Sequence, residues 1–250
     1  MLSSTALAKP YAASKVPDKI GEIQESGLVA YGMKADKISM IASQSYWAGP
    51  DQSEIPRLAQ YFLTVKEITE MVSPSNLSRT TSKEQQDWRE ALIDSQLRSN
   101  DSHKEQLLAQ VTLYVDVLNH HVFGKGDLIP EEELTNPVIQ DSFSSIHRQF
   151  ERMTHTGRNF CTTEAGRLGW ASKRAKEGDI VALLYGCVVP ILLRPRQDGK
   201  YECLEACYIQ GIMDGEVVEE AMIANGIPED EMEDETKWKQ YAPMERFVIV

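Results

Sequence analysis

Two rhythms of apolar spacing follow one another along the chain. From about residue 53 to residue 156 the spacing is helical. Ile55, Leu58, Ala59, Phe62, Val65 and Val72 recur at intervals of three, four and seven, as one helix face requires. A second stretch opens at Ser82 and Gln85, which suit a capping box, and carries Trp88, Ala91 and Leu92. A third carries Leu107, Leu108, Val111, Tyr114, Val115 and Leu118, and ends at Gly124, Gly126 and Pro130, which extend a helix poorly. A fourth starts at Asn136–Pro137, an N-cap with proline at the first helical position, and runs through Ile139, Phe143, Ile146, Phe150 and Met153 to Gly157.

After Gly157 the period shortens to two. "RNFCTT", "RLGW", "DIVALLYG", "VVPILLRP" and "YECLEACYIQG" read as short strands, with Asp198-Gly199 as a hairpin turn. "MDGEVVEEAMIANG" predicts a short helix and "RFVIV" a final strand. Upstream, Leu28–Gly32 reads as a strand, followed by a separate short element around Ile38–Ala42. Strands this apolar need their edges covered, which favours a small barrel or a strongly curled antiparallel sheet. The expected fold class is therefore α+β, a small curled antiparallel sheet or barrel with a helical insertion packed against it. The expected division is a flexible segment 1–27 and a single module 28–250. Within it, 28–44, 157–212 and 245–250 form the β-part and 53–156 the insertion. Gly178–Asp179 should set the turn into a strand, and Pro190, which donates no ladder bond, should lie at a bulge or edge. Gly211 and Gly215 should shape the exit turn, with Asp214 capping the helix that follows.

Composition narrows the function classes. The 250 residues carry a formal net charge of −12, which repels phosphate backbones. Ten of the acidic residues, and no basic one, fall between Met213 and Glu235. That segment lacks the ordered glycine and terminal glutamate of a calcium loop and reads as a solvated face. No apolar run reaches the roughly 20 residues of a membrane helix, and the first fifteen residues lack the apolar core of a signal peptide. A cytoplasmic protein with reduced thiols is the expectation.

Candidate chemistry is sparse. Cys161, Cys187, Cys203 and Cys207 have neither disulfide-framework nor zinc spacing. Cys203 and Cys207, four apart, would share one face of a strand. A nucleophilic thiol needs a base; His155 or His147 could serve Cys161 or Cys207, which makes a cysteine-dependent enzyme one alternative. His120 and His121 are adjacent, so they diverge by about 100° on a helix and suit its C-terminus better than a metal. "GKGD" and "EAGRLG" lack the strand–loop–helix setting of a phosphate loop. A basic strip of Arg167, Lys173, Arg174, Lys176, Arg194, Arg196 and Lys200 beside the acidic segment makes a dipolar module suited to docking a protein by complementary charge. Nucleic-acid binding on that strip is a second alternative, with only Trp170, Tyr185 and Tyr201 as stacking platforms. No catalytic, cofactor-binding or metal-ligating residue is expected, and no cofactor.

The order of several short pieces carries a resemblance. Phe160–Gly166, Gly178–Asp179, Val189–Pro190 with Leu193–Arg194, and Cys207–Tyr208 followed by Gly211–Glu216 resemble, in the same order, the carboxy-terminal region of fungal heterokaryon-incompatibility (HET domain) proteins. "LVAYGMKADKISMIAS" is similar to the strand that precedes that family's variable helices, and "RFVIV" is compatible with its last strand. The family's glycine-rich stretch is replaced here by "LGWASKRAKEGD". The HET domain's own Ser-Tyr-x-Trp-Gly and Trp-Ile-Asp signatures are not found. The resemblance implies a non-catalytic module that supports or regulates a cell-death effector domain in non-self recognition, through protein interaction, in a chain expected to lack the effector activity itself.

Overall fold

A computed structural model describes residues 13, 22–24, 27–42, 71, 109, 112, 137, 157–228 and 244–250. The chain divides into two compact units, Met1–Ile41 with Cys161–Val250, and Ala42–Phe160. Within the second, Met71, Ala109, Thr112 and Pro137 are helical. The remainder of the helical stretches expected over 53–156, and the acidic segment 229–235, lie outside the described residues.

Among its described residues the first unit is mostly sheet with one short helix. Its strands are β1 (Glu22–Gln24), β2 (Gly27–Ile41), β3 (Arg158–Thr163), β4 (Leu168–Ser172), β5 (Ile180–Leu184), β6 (Ile191–Pro195), β7 (Tyr201–Ala206), β8 (Tyr208–Ile209) and β9 (Glu245–Ile249), with α1 (Glu216–Ala224) between β8 and β9. The alternating segments after Gly157 form strands where the period predicts them. Two differences stand out upstream. Leu28–Gly32 and Ile38–Ala42 are not separate elements, because β2 runs unbroken for 15 residues. A register shift between Lys34 and Asp36 changes the face each side chain takes and hides the alternation. Within the segment read as a tail, Glu22–Gln24 pairs with Gly27–Val29, and Ala13 is buried, its N–H donating to the Val188 carbonyl at 3.2 Å.

β2 organises the sheet because different parts of it pair with different strands. Leu28–Gly32 meets β9, Gly32–Lys37 meets β5, and Ile38–Ile41 meets β3. β5, β6 and β7 form an antiparallel meander, and β7 meets β9 in one parallel pair, Tyr201↔Ile249. The path β2–β5–β6–β7–β9–β2 therefore returns to its start, and the sheet is ring-like. β3, β4 and β8 continue from the far end of β2 as a branch.

Gly32 sits where β2 faces β9 and β5 together, paired with both Glu245 and Leu184. A Cβ there would lie 2.2 Å from the Leu183 carbonyl oxygen, so only glycine lets the two backbones approach. A second register shift, between Leu192 and Leu193, places a bulge opposite them in β7 and adds curvature.

Two apolar clusters follow. Ala30, Ala182, Leu184, Leu193, Phe247 and Ile249, with Tyr201, Ile191 and Cys187 against them, draw on all five ring strands and so fill the ring. Tyr201 meets Phe247 edge-on at 5.3 Å. The alternate residues Val181, Leu183, Leu192 and Leu204 face the other way. They pack with Cys161, Ala171, Ile209 and the α1 residues Val217, Val218 and Met222. Each large side chain so buried contributes roughly 1.5–3 kcal/mol.

Candidate functional site

Among the described residues of the first unit, chemistry-bearing side chains gather in two ion-pair clasps and around four free thiols. In the first clasp, Gly178 takes a left-handed φ of 88°, and its N–H bonds the Ile38 carbonyl at 2.9 Å. This turns the chain so that the Asp179 carboxylate points inward, its side chain only 3% exposed. The carboxylate accepts from the Lys176 N–H at 2.7 Å and from Arg194 Nε and Nη2 at 2.9 and 2.8 Å. Arg194 Nη2 also donates to the Arg174 carbonyl at 2.7 Å. The hydrogen bond to Asp179 raises the Arg194 pKa further, so the guanidinium stays charged. The turn role expected of Gly178–Asp179 is what the chain shows, with a buried ion pair added to it.

The second clasp was not apparent from sequence. Asp36, on the bulged part of β2, has a side chain 4% exposed. Its carboxylate accepts from its neighbour Lys37 N–H at 2.8 Å, from Ala165 N–H at 3.3 Å and from Arg167 Nη1 at 3.1 Å. Arg167 Nη2 reaches Glu220 of α1 at 3.4 Å. One guanidinium thus joins β2, the β3–β4 turn and the helix. The signal available in sequence was an aspartate between Lys34 and Lys37, flanked by apolar runs; its partner lies 131 positions away, beyond any local rule.

The thiols lie in different surroundings. Cys161 is fully buried, and burial, then the neighbouring Cys207 and Asp36, push its pKa well up. Cys207 is buried and its Sγ lies 3.7 Å from the Pro190 carbonyl. Burial also raises Cys187 and Cys203. Cys203 and Cys207 do not share a face. Cys203 pairs opposite Leu193 on the ring-filling side, whereas Cys207 joins the other cluster, because the bulge in β7 shifts the register between them. His103, His120, His121, His147 and His155 all lie outside the described residues.

The strip of basic residues is largely engaged by the chain's own carboxylates. Arg174 pairs with Glu202, Arg194 with Asp179 and, at 4.0 Å, with Glu202, and Arg196 with Asp198 at 3.4 Å. Pro190 sits just ahead of β6, where a missing N–H costs the ladder nothing. The N-cap position of α1 is not Asp214 but the residue after it. The N-cap is Gly215, at φ 94°, with no side-chain cap bond, and the Asp214 N–H donates to the Glu216 carboxylate at 2.7 Å. The cap position lies one residue later because the left-handed turn there favours glycine.

At one end of the ring, Lys34 Nζ meets Glu245 at 2.9 Å, and that bond raises the lysine pKa. Burial, then the Glu245 charge, raises Tyr185 to about 12. Among the described residues no three histidine, cysteine or carboxylate side chains come together in a metal-holding group. No helix of the described residues is long and apolar enough to cross a membrane.

Residues 139–225 match the Het-6 beta-barrel domain. This heterokaryon-incompatibility-associated domain is consistent with the carboxy-terminal region of HET-type proteins, as the motif order from Phe160 to Glu216 implies. The matched span opens in the second unit, at residue 139, and takes in β3 through α1, and with them the β5–β7 meander and the first clasp. No curated protein and no solved structure matched the chain.

Proposed function

We propose that the chain is a non-catalytic module that supports or regulates a cell-death effector domain in heterokaryon incompatibility, in cis or in trans, by binding protein in the cytoplasm. The observation that carries this reading is the match of residues 139–225 to the Het-6 beta-barrel domain. The placement of the reactive groups supports it. The Asp36 and Asp179 carboxylates are occupied by guanidinium groups of the same chain, and the buried Cys161 thiol is held in its unreactive protonated form. The cysteine-dependent alternative has less support, since an activated thiol needs a lowered pKa. The nucleic-acid alternative has less as well, since Arg174, Arg194 and Arg196 already face carboxylates.

Titration calorimetry of the full chain against a purified HET-type effector domain tests the proposal. Saturable binding that moderate salt changes only modestly is expected. Absence of binding to such domains, alongside tight nucleic-acid binding that falls steeply with salt, would contradict it.

A further inference from the structure

β1 is an exposed edge. All three of its residues are exposed, and among the described residues it pairs only with β2. Ile23, at 90% exposure, is the most exposed large hydrophobic side chain of the described residues, and its cross-strand partner Leu28 is 40% exposed. Such an edge is a template for another strand.

The backbone says which residue would lead. Tyr31 accepts from the Tyr185 N–H at 2.8 Å, on the side of β2 opposite β9, so Val29 and Gly27, two and four positions earlier, also turn their backbone groups to that side, where β1 lies, and form hydrogen-bonded pairs with Glu22 and Gln24. Hydrogen-bonded and non-bonded pairs alternate along an antiparallel ladder. Ile23 is therefore non-bonded to β2, and its N–H and C=O point away from β2, toward the edge that no described strand occupies.

The side chains say what would bind. In an antiparallel pairing centred on Ile23, the strand Glu22-Ile23-Gln24 is its own complement. Ile23 meets Ile23, and Glu22 meets Gln24 of the other copy on each side. A carboxylate then faces an amide donor and no like charges oppose. The Gln24 Nε2 already reaches Glu22 within the strand at 3.5 Å, which shows the two groups on one face and able to bond.

We propose that β1 docks on β1 of a second copy of this chain, antiparallel about Ile23, to form a two-fold dimer. The pairing exchanges two backbone hydrogen bonds at Ile23 and extends the Ile23–Leu28 apolar row across the junction. Three residues bury well under the roughly 1,000 Å² of a stable interface, so the dimer is weak and concentration-dependent. Each copy carries a net charge of −12, so moderate salt favours the pairing by screening their repulsion.

Sedimentation equilibrium of the full chain from about 10 μM to about 1 mM reads the dissociation constant directly. Ile23→Asp should remove association. Gln24→Lys places an ammonium opposite Glu22 of the other copy, twice per dimer. It should tighten the dimer by about two- to thirty-fold. Gln24→Glu should weaken it by a similar factor, less so in high salt. These positions are exposed, so unchanged melting curves verify the fold of each variant. A chain that stays monomeric throughout, a dimer indifferent to Ile23→Asp, or glutamine variants that shift the constant in the same direction would each overturn the proposal.

Discussion

Single residues decide whether this sheet can bend. At Gly32 the absent side chain is the structural feature, because any Cβ would fall within 2.2 Å of the Leu183 oxygen. Gly32→Ala should lower stability by about 1–3 kcal/mol, the range for forcing atoms into a filled site. Urea unfolding checks this, and an unchanged midpoint would mean β2 and β5 approach less closely than described. Gly32 carries no mark in the sequence. It reads as the end of a strand, since Lys34, Asp36 and Lys37 follow it and the alternation lapses. The strand continues because a bulge turns those polar groups toward Glu245, Arg167 and Glu164. The Gly178–Asp179 turn was legible because glycine before a buried apolar run has few other uses. Spacing alone puts the N-cap of α1 at Asp214, and the left-handed φ at Gly215 moves that position one residue on.

At the scale of elements, hairpins were readable and long-range pairings were not. β5, β6 and β7 are contiguous, their apolar alternation is nearly complete, and Asp198-Gly199 marks the tightest turn. The parallel contact of β7 with β9, and the use of β2 by three different strands, depend on residues far apart in sequence. β1 leaves no mark in the apolar pattern, because all its residues are exposed. The Asp179–Arg194 clasp ties β6 to the turn ahead of β5, and its test belongs here. Arg194→Met leaves a buried carboxylate without its counter-charge and should cost about 3 kcal/mol, the lower end for breaking such a pair because Arg194 is a quarter exposed. Asp179→Asn combined with Arg194→Met should cost less than the sum of the single changes. Strict additivity in that cycle would show that the two groups do not act as a pair.

For the whole molecule, the raised acids set the alkaline limit. Tyr185 ionises at about 12 in the fold, against about 10 in an unfolded chain. The folded value is the higher one, so the unfolded state loses its proton first. Stability is complete below pH about 10 and is lost as pH rises from there toward 12. Cys161 acts in the same direction from the ordinary thiol range upward. Urea midpoints should hold near neutrality and fall progressively above pH about 9; a midpoint that rises over that range would contradict the burial of both groups. The central claim is that the alternating apolar segments form a folded wall in which the Cys161 and Cys207 thiols are buried and inert, and alkylation kinetics read this most directly. Iodoacetamide labelling of the native protein across pH 6 to 9, resolved by peptide mass spectrometry, should modify Cys203 slowly, with a rate that climbs with pH. Cys161 should react only at the rate of unfolding. Rapid, pH-insensitive modification of Cys161 at neutral pH would mean an activated thiol, and the account would fail.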